Sequence, residues 1–360
     1  MTPEQIEKRK KYAGKKIQSM KRRNEVHDYH SERFYMITLE VVSRLPLLGA
    51  LEGDEETAHI SLSPLGEAVA AEWNGIPRYY PQITIVSQQV MPDHFHGILY
   101  VKGKTEFHLG QVIKGFKLGC NRALRRMLGD AALKTRRTRE GGTEKERGAG
   151  EGDKKARSFR DKLLSYAAIQ SQPPEKATLW IKGYNDKILH NYSTLDKWKA
   201  YLQDNPRRLA VKRSHPDYFK VRFGVEVGGQ TYAAIGNRFL LTHPEKVQIQ
   251  LSRSLTQEQI DEKVAYFLSL ARQGTILVSP AISKGEQAVM RAALDAHLPL
   301  IFLTPWGFNQ FSKPGHQYFE ACSEGRFLIL APWEHQNERI PLTRSMCLTL
   351  NEMTYLICNI

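Results

Sequence analysis

Two β-rich runs, 83–90 and 94–101, flank a Met-Pro-Asp turn, and this pattern predicts an antiparallel hairpin. With a period of two, Phe95, Leu99 and Val101 point toward a core, while positions 94, 96, 98 and 100 share the opposite face. Gly97, between those sets, leaves room for a backbone or ligand to approach closely. Before the hairpin, Phe34–Val42 reads as a core strand. Leu62–Trp73 reads as a helix started near Ser63-Pro64. After it, 109–128 has a helical period that offers Val112, Phe116, Ala123, Leu124 and Met127 for burial. Trp180–Leu189 reads as a strand with a turn. Thr194–Asp204 reads as a helix capped by Ser193 or Thr194 and stopped near Asn205-Pro206.

Past His215-Pro-Asp-Tyr the pattern changes. The runs 275–280, 300–304 and 327–331 are continuously apolar, as buried parallel strands are, and helices 285–297 and 318–323 separate them. A last helix, Thr343–Cys358, packs on that sheet. The expectation is an α+β first domain over 31–215, an antiparallel sheet with helices, followed by an α/β, Rossmann-like domain over 216–360.

Charge adds a partner class. Of 360 residues 41% are hydrophobic and 25% charged, which is ordinary for a globular protein, but the formal net charge is +14. A surface so basic favours a polyanion, and nucleic acid is the commonest one. Residues 1–30 carry nine Lys/Arg between Lys8 and Arg23 and read either as a solvated tail or as an arm along phosphates. Residues 134–162 hold eleven Lys/Arg and six Asp/Glu, so a mobile basic insertion at about 129–160 is expected. With no run of about 18 apolar residues, no signal-peptide core and no amphipathic anchor, nothing points to a membrane. Four scattered cysteines suggest neither a zinc ribbon nor a disulfide framework, and a reducing cytoplasm fits.

The candidate chemistry starts at His94 and His96, two imidazoles on one strand face that could share a divalent cation with a third ligand from elsewhere. Two half-buried histidines with ordinary hydrogen-bond partners are the plainer alternative. On helix 109–128, Lys114, Lys117, Arg122, Arg125 and Arg126 avoid the apolar stripe; they form either a solvated face or a set of phosphate contacts. Tyr201 and Asn205, four residues apart, share a helix face.

Met91-Pro-Asp-His-Phe-His-Gly-Ile-Leu99 resembles the His-hydrophobic-His signature of single-tyrosine HUH transposases, and most closely their REP-associated branch. Tyr184-Asn-Asp-Lys-Ile-Leu189 and Tyr201-Leu-Gln-Asp-Asn-Pro206 resemble two further segments of that family, in the same chain order. The resemblance covers about 31–215 and implies an HUH/RRM-like fold. It implies that His94 and His96, with Asn205 as a third ligand, hold Mg²⁺ or Mn²⁺, and that Tyr201 is the nucleophile. The implied reaction is transesterification of single-stranded DNA with hairpin or palindromic ends, through a 5′-phosphotyrosine. An unperturbed tyrosine titrates near about 10, so a metal or a base must assist, and Asp186 is a candidate helper. The resemblance further implies a homodimer in a bacterial, nucleoid-associated setting.

The second domain resembles, more loosely, DNA-processing protein A. Its Val278–Glu286 strand–loop–helix could offer a helix N-terminus to phosphate, although no G-x-G-x-x-G or Walker pattern supports a nucleotide. Two other classes compete: a His-x-His metallohydrolase, and a domesticated DNA-binding protein that no longer cuts.

Overall fold

The computed structural model describes residues 27–140, 151–170, 173–189, 192–315, 317–336 and 341–359. The basic arm expected over residues 1–30 therefore lies almost wholly outside the described residues. The chain divides into two units, one ending at Ala210 and one running from Val211 to Ile360.

The first unit is built on the hairpin. Strands β4 (Ile83–Met91) and β5 (His94–Val101) pair antiparallel across Pro92-Asp93, with Met91 opposite His94 and Gln89 opposite His96. Strand β1 (Arg33–Glu40) lies on the other side of β5, and β6 (Asn185–Leu189) lies beyond β1, giving the order β4-β5-β1-β6. A separate hairpin, β2 (Gly49–Glu52) with β3 (His59–Leu62), leads into helix α1 (Pro64–Asn74). Ser63 caps that helix by accepting the Gly66 amide at 3.1 Å, with Pro64 in the first turn. A single turn of helix, α2 (Ile76–Tyr79), follows.

Two long helices come next, α3 (Leu109–Glu140) and α4 (Glu151–Gln170). They correct the expected mobile insertion: on both sides of 141–150, which lie outside the described residues, the chain is helical. Alanine, leucine, lysine, arginine and glutamate are good helix formers, so a segment without core residues can still extend helices anchored at their other ends. Helix α5 (Tyr192–Ser214) also exceeds its expected span and carries Pro206 in its interior. Proline removes one N–H there. Ion pairs from Asp204 to Arg207 (2.6 Å) and Arg208 (3.8 Å) bridge that turn, and Ala210 and Val211 are buried beyond it. The division between the units thus falls inside a helix, not at His215.

Both faces of the four-stranded sheet are covered. On one, Tyr35, Ile37, Leu39, Phe95 and Leu99 pack with α1, α3 and α4 through Trp73, Val112, Phe116, Leu124 and Tyr166. On the other, Met36, Ile98 and Leu189 pack with Leu195 and Leu202 of α5. The space beside Gly97 is taken by a side chain, not by backbone or ligand: a Cβ at 97 would overlap the indole of Trp73, which is fully buried. Gly97→Ala should therefore cost about 1–3 kcal/mol by overpacking. Denaturant unfolding would show this, and the cost should shrink in a Trp73→Phe background.

The second unit is a three-layer α/β domain. Strands β7 (Arg222–Val227), β8 (Gln230–Gly236), β9 (Lys246–Gln248), β10 (Ile276–Ser279), β11 (Leu300–Leu303) and β12 (Phe327–Ala331) form one sheet in the order β7-β8-β12-β11-β10-β9. Strands β9 to β12 are parallel, and β8 runs antiparallel to β12. Helices α6 (Gln257–Arg272), α7 (Lys284–Asp295) and α8 (Gln317–Ser323) contribute Phe267, Val289 and Phe319 to one apolar layer. Helix α9 (Arg344–Cys358) contributes Leu350 and Ile357 to the other. The fold is thus a mixed one, an antiparallel α+β unit and a separate mixed sheet with helices, as the residue pattern predicts.

The N-terminus of α7 is not open to phosphate. Ser283 and Glu286 form a capping box. The Glu286 carboxylate, 2% exposed, accepts the amides of Ile282 (2.6 Å), Ser283 (3.2 Å) and Leu251 (3.2 Å). A built-in carboxylate occupies the position an anion would take.

Candidate active site

Paired residues of an antiparallel ladder point the same way, so register decides which side chains meet. Thr38 is opposite His96, Glu40 is opposite His94, and Asn185 is opposite Thr38. One polar row, Gln89–His96–Thr38–Asn185, therefore crosses the sheet on the face that α5 covers. The two imidazoles of that face stand edge to face, with ring centroids 4.8 Å apart.

Each ring is oriented through Nδ1. His94 Nδ1 lies 2.6 Å from Asp93 Oδ1, and His96 Nδ1 lies 2.8 Å from Thr38 Oγ1. That leaves Nε2 as the outward donor of both, an arrangement typical of metal-ligating histidines with outer-shell partners. Burial, then the neighbouring His94 charge, pushes His96 down to about 3, so its imidazole is neutral and its lone pair available at ordinary pH. Burial opposes the charge on Asp93, but hydrogen bonding and charge from His94 and Arg44 outweigh it and hold the carboxyl below its usual range. Arg44 reaches Asp93 at 3.4 Å and Glu40 at 2.7 Å.

Helix α5 brings the second half. Leu202 is fully buried against the histidine face, and Asn205, one turn on, is 9% exposed with its Nδ2 unpartnered. Turning that amide over exchanges Nδ2 for Oδ1, a metal-binding oxygen. Among the described residues no group of three or more His, Cys, Asp or Glu could hold a metal ion. Among the polar side chains that the sheet face and α5 contribute are the two imidazoles and the Asn205 amide.

Tyr201 is 37% exposed. Its ring meets Trp198 edge-on at 5.3 Å, and the Arg208 guanidinium lies 5.5 Å from its centroid. Lys187 Nζ sits 4.3 Å from the Trp198 indole centroid and ties α5 to β6. Thr38, Asp93, Asn185 and Arg208 escape sequence reasoning. Only Asp93, adjacent to His94 in the turn, left a readable signal.

Asp186 does not join this group. It pairs with Ile37, so it projects from the opposite face, where its Oδ2 accepts from the Tyr29 hydroxyl at 2.7 Å. As a base for Tyr201 it is on the wrong side of the sheet. The basic set on α3 also divides. Lys117 donates to the carbonyls of Ile181 (2.8 Å) and Gly183 (2.9 Å), and Arg125 donates to that of Ala177 (2.9 Å). Between them Asn121 accepts the Leu179 amide at 2.8 Å. These residues, four apart, hold the segment that leads into β6. Lys114, Arg122 and Arg126 are exposed, but α3 packs on the face away from the histidines. Lys117→Met should cost about 1.5–3 kcal/mol, the worth of a charged hydrogen bond. A denaturant melt would register that loss, and an unchanged midpoint would mean that the carbonyls of Ile181 and Gly183 do not hold Lys117.

No family model matches the chain. An uncharacterized protein of Haemophilus influenzae is 26% identical over 180 residues, spanning 50% of this chain and 83% of that one. Among solved structures, DNA processing protein A from Helicobacter pylori, described for its single-stranded DNA binding mode, is similar at 21% identity and a TM-score of 0.28. That match covers 36% of this chain and 58% of the other, so the chain spans little more than half its length. A REP-associated tyrosine transposase bound to a REP hairpin is similar at 12% identity and a TM-score of 0.25, covering 52% of this chain and 72% of that one. Similarity at this level says nothing about which residues act. Among the described residues no helix is long and apolar enough to cross a membrane.

Proposed function

We propose that the chain is a metal-dependent transesterase that cuts and rejoins single-stranded DNA through a covalent 5′-phosphotyrosine at Tyr201. One observation carries the reading. The helix bearing Tyr201 and Asn205 packs through Leu195 and Leu202 on the sheet face that bears His94 and His96, and on that helix Asn205 is buried with its Nδ2 unpartnered.

In this reading His94 and His96, through Nε2, and Asn205 hold Mg²⁺ or Mn²⁺. When bound, the ion supplies Lewis-acid polarisation of a non-bridging phosphate oxygen. Asp93 and Thr38 keep the two rings from turning. Trp198 and Arg208 hold the Tyr201 ring, and the phenol oxygen attacks phosphorus in line. The bond from phosphorus to the 3′ oxygen breaks, the 3′-hydroxyl leaves with a proton, and the 5′ phosphate stays on the tyrosine. One phosphodiester replaces another, so attack by a 3′-hydroxyl reverses the step without ATP. Exposed basic residues would draw in the strand, and unpaired bases would add stacking.

The test is to mix the full chain with end-labelled single-stranded hairpin DNA and Mg²⁺ or Mn²⁺, denature, and look for protein that carries label. Retention of DNA before denaturation with no adduct afterwards would leave a DNA-binding protein and refute the transesterase.

A further inference from the structure

Among the described residues, four that are not glycine have left-handed backbone, and two of them are neighbours: Ser43, with φ 59°, and Arg44, with φ 54°. An L side chain crowds its own following carbonyl in that region, so the conformation is costly and persists only where its surroundings fix it. Here the surroundings are the turn of the histidine hairpin. The Val41 amide donates to the Asp93 carbonyl at 2.9 Å, and the Leu48 amide donates to the Pro92 carbonyl at 3.0 Å. Val41, Leu47 and Leu48 are buried, which anchors both ends of segment 41–48.

The strained pair delivers one side chain to the candidate site. Arg44 Nη2 reaches Glu40, which is opposite His94 in the ladder, at 2.7 Å, and Nη1 reaches Asp93 Oδ2 at 3.4 Å. The other oxygen of that carboxylate, Oδ1, lies 2.6 Å from His94 Nδ1. Arg44, Asp93 and His94 thus form a chain in which each group orients the next.

Stability does not account for this arrangement. The Arg44 side chain is 52% exposed, and ion pairs so exposed contribute little, less than two left-handed residues cost. The chemistry of the group explains more. A guanidinium presents separate nitrogens in a rigid plane and can hold two carboxylates in fixed directions, whereas an ammonium is a point charge on a flexible stem. We propose that Arg44 is a positioning residue for His94: by holding Asp93, it fixes His94 as the Nδ1–H tautomer with its lone pair on Nε2. The consequence for a cation rests on the reading of His94 and His96 as metal ligands; the state of the ring does not.

The test reads these two parts separately. Nitrogen NMR of the full, metal-free chain with its imidazoles neutral distinguishes the tautomers, and His94→Ala identifies the His94 signals. The unaltered protein should carry the His94 proton on Nδ1, and Arg44→Gln should show a mixture. Arg44→Lys, the milder variant, should resemble Arg44→Gln, because charge alone does not hold the carboxylate in one direction. Ser43→Gly, which suits left-handed backbone, should match the unaltered protein. Mn²⁺ affinity measured by calorimetry without DNA should fall about tenfold in Arg44→Gln, the lower end of what outer-shell partners are worth. Thermal melting checks that each variant folds. A pure Nδ1–H tautomer in Arg44→Gln would overturn the proposal, as would full rescue by lysine or an Mn²⁺ affinity that Arg44→Gln leaves unchanged. A tautomer that responds to Arg44 in a protein that takes up no Mn²⁺ would support the positioning role and refute the metal reading, so the two failures are told apart.

Discussion

The Tyr201→Phe protein is expected to bind single-stranded DNA like the unaltered chain and to trap none of it covalently. Only one oxygen is lost. The ring keeps its edge contact with Trp198 at 5.3 Å and its place under Arg208 at 5.5 Å. Because the residue is 37% exposed, no buried partner is stranded, and stability should change by no more than about 0.5 kcal/mol. Removal of a nucleophile is close to total in effect, so adduct formation should fall by at least roughly 10³-fold. Fifteen tyrosines make the control necessary. Tyr184 is 5% exposed and belongs to the core on the opposite face of the sheet, so Tyr184→Phe should still form adduct if it folds. A labelled band of full intensity from Tyr201→Phe would move the nucleophile elsewhere.

For His96→Ala and His94→Ala, cleavage should drop below detection while DNA affinity stays within about threefold, since affinity rests on many phosphate contacts. Loss of activity alone could come from a distorted strand, so Thr38→Val is the sharper variant. It removes the oxygen 2.8 Å from His96 Nδ1 and keeps the shape of the side chain. Outer-shell partners of this kind are worth about 10- to 100-fold in metal affinity. Thr38→Val should therefore need that much more Mn²⁺ for half-maximal cleavage, yet reach a rate near that of the unaltered protein at saturation. Full activity in EDTA, or an unchanged Mn²⁺ requirement in Thr38→Val, would remove the metal from His96.

Much of this was legible because the relevant signals are local. The hairpin, the Ser63-Pro64 helix start and the apolar runs that became β10, β11 and β12 each depend on neighbours in sequence. What escaped depends on pairing. Asp186 lies in a segment that alternates, but its face is set by register with Ile37, and a slip of one residue would have turned it toward the histidines. The alternation gives two faces without ranking them, and here both are covered. Lys117 and Arg125 look like phosphate contacts to any count of charge; only the fold shows that backbone carbonyls of 177–183 hold them. Pro206 reads as a stop because its missing N–H is local, whereas the ion pairs and burial that carry the helix past it are not.

Strand β5 is bonded on both edges, to β4 and to β1. Local opening that frees its amides must break two ladders and uncover Phe95 and Leu99. Hydrogen exchange along 95–99 should therefore follow whole-molecule unfolding, not fraying. The backbone spacing of the two imidazoles is then a property inherited from folding, so a ligand that bridges them meets a strand already in place.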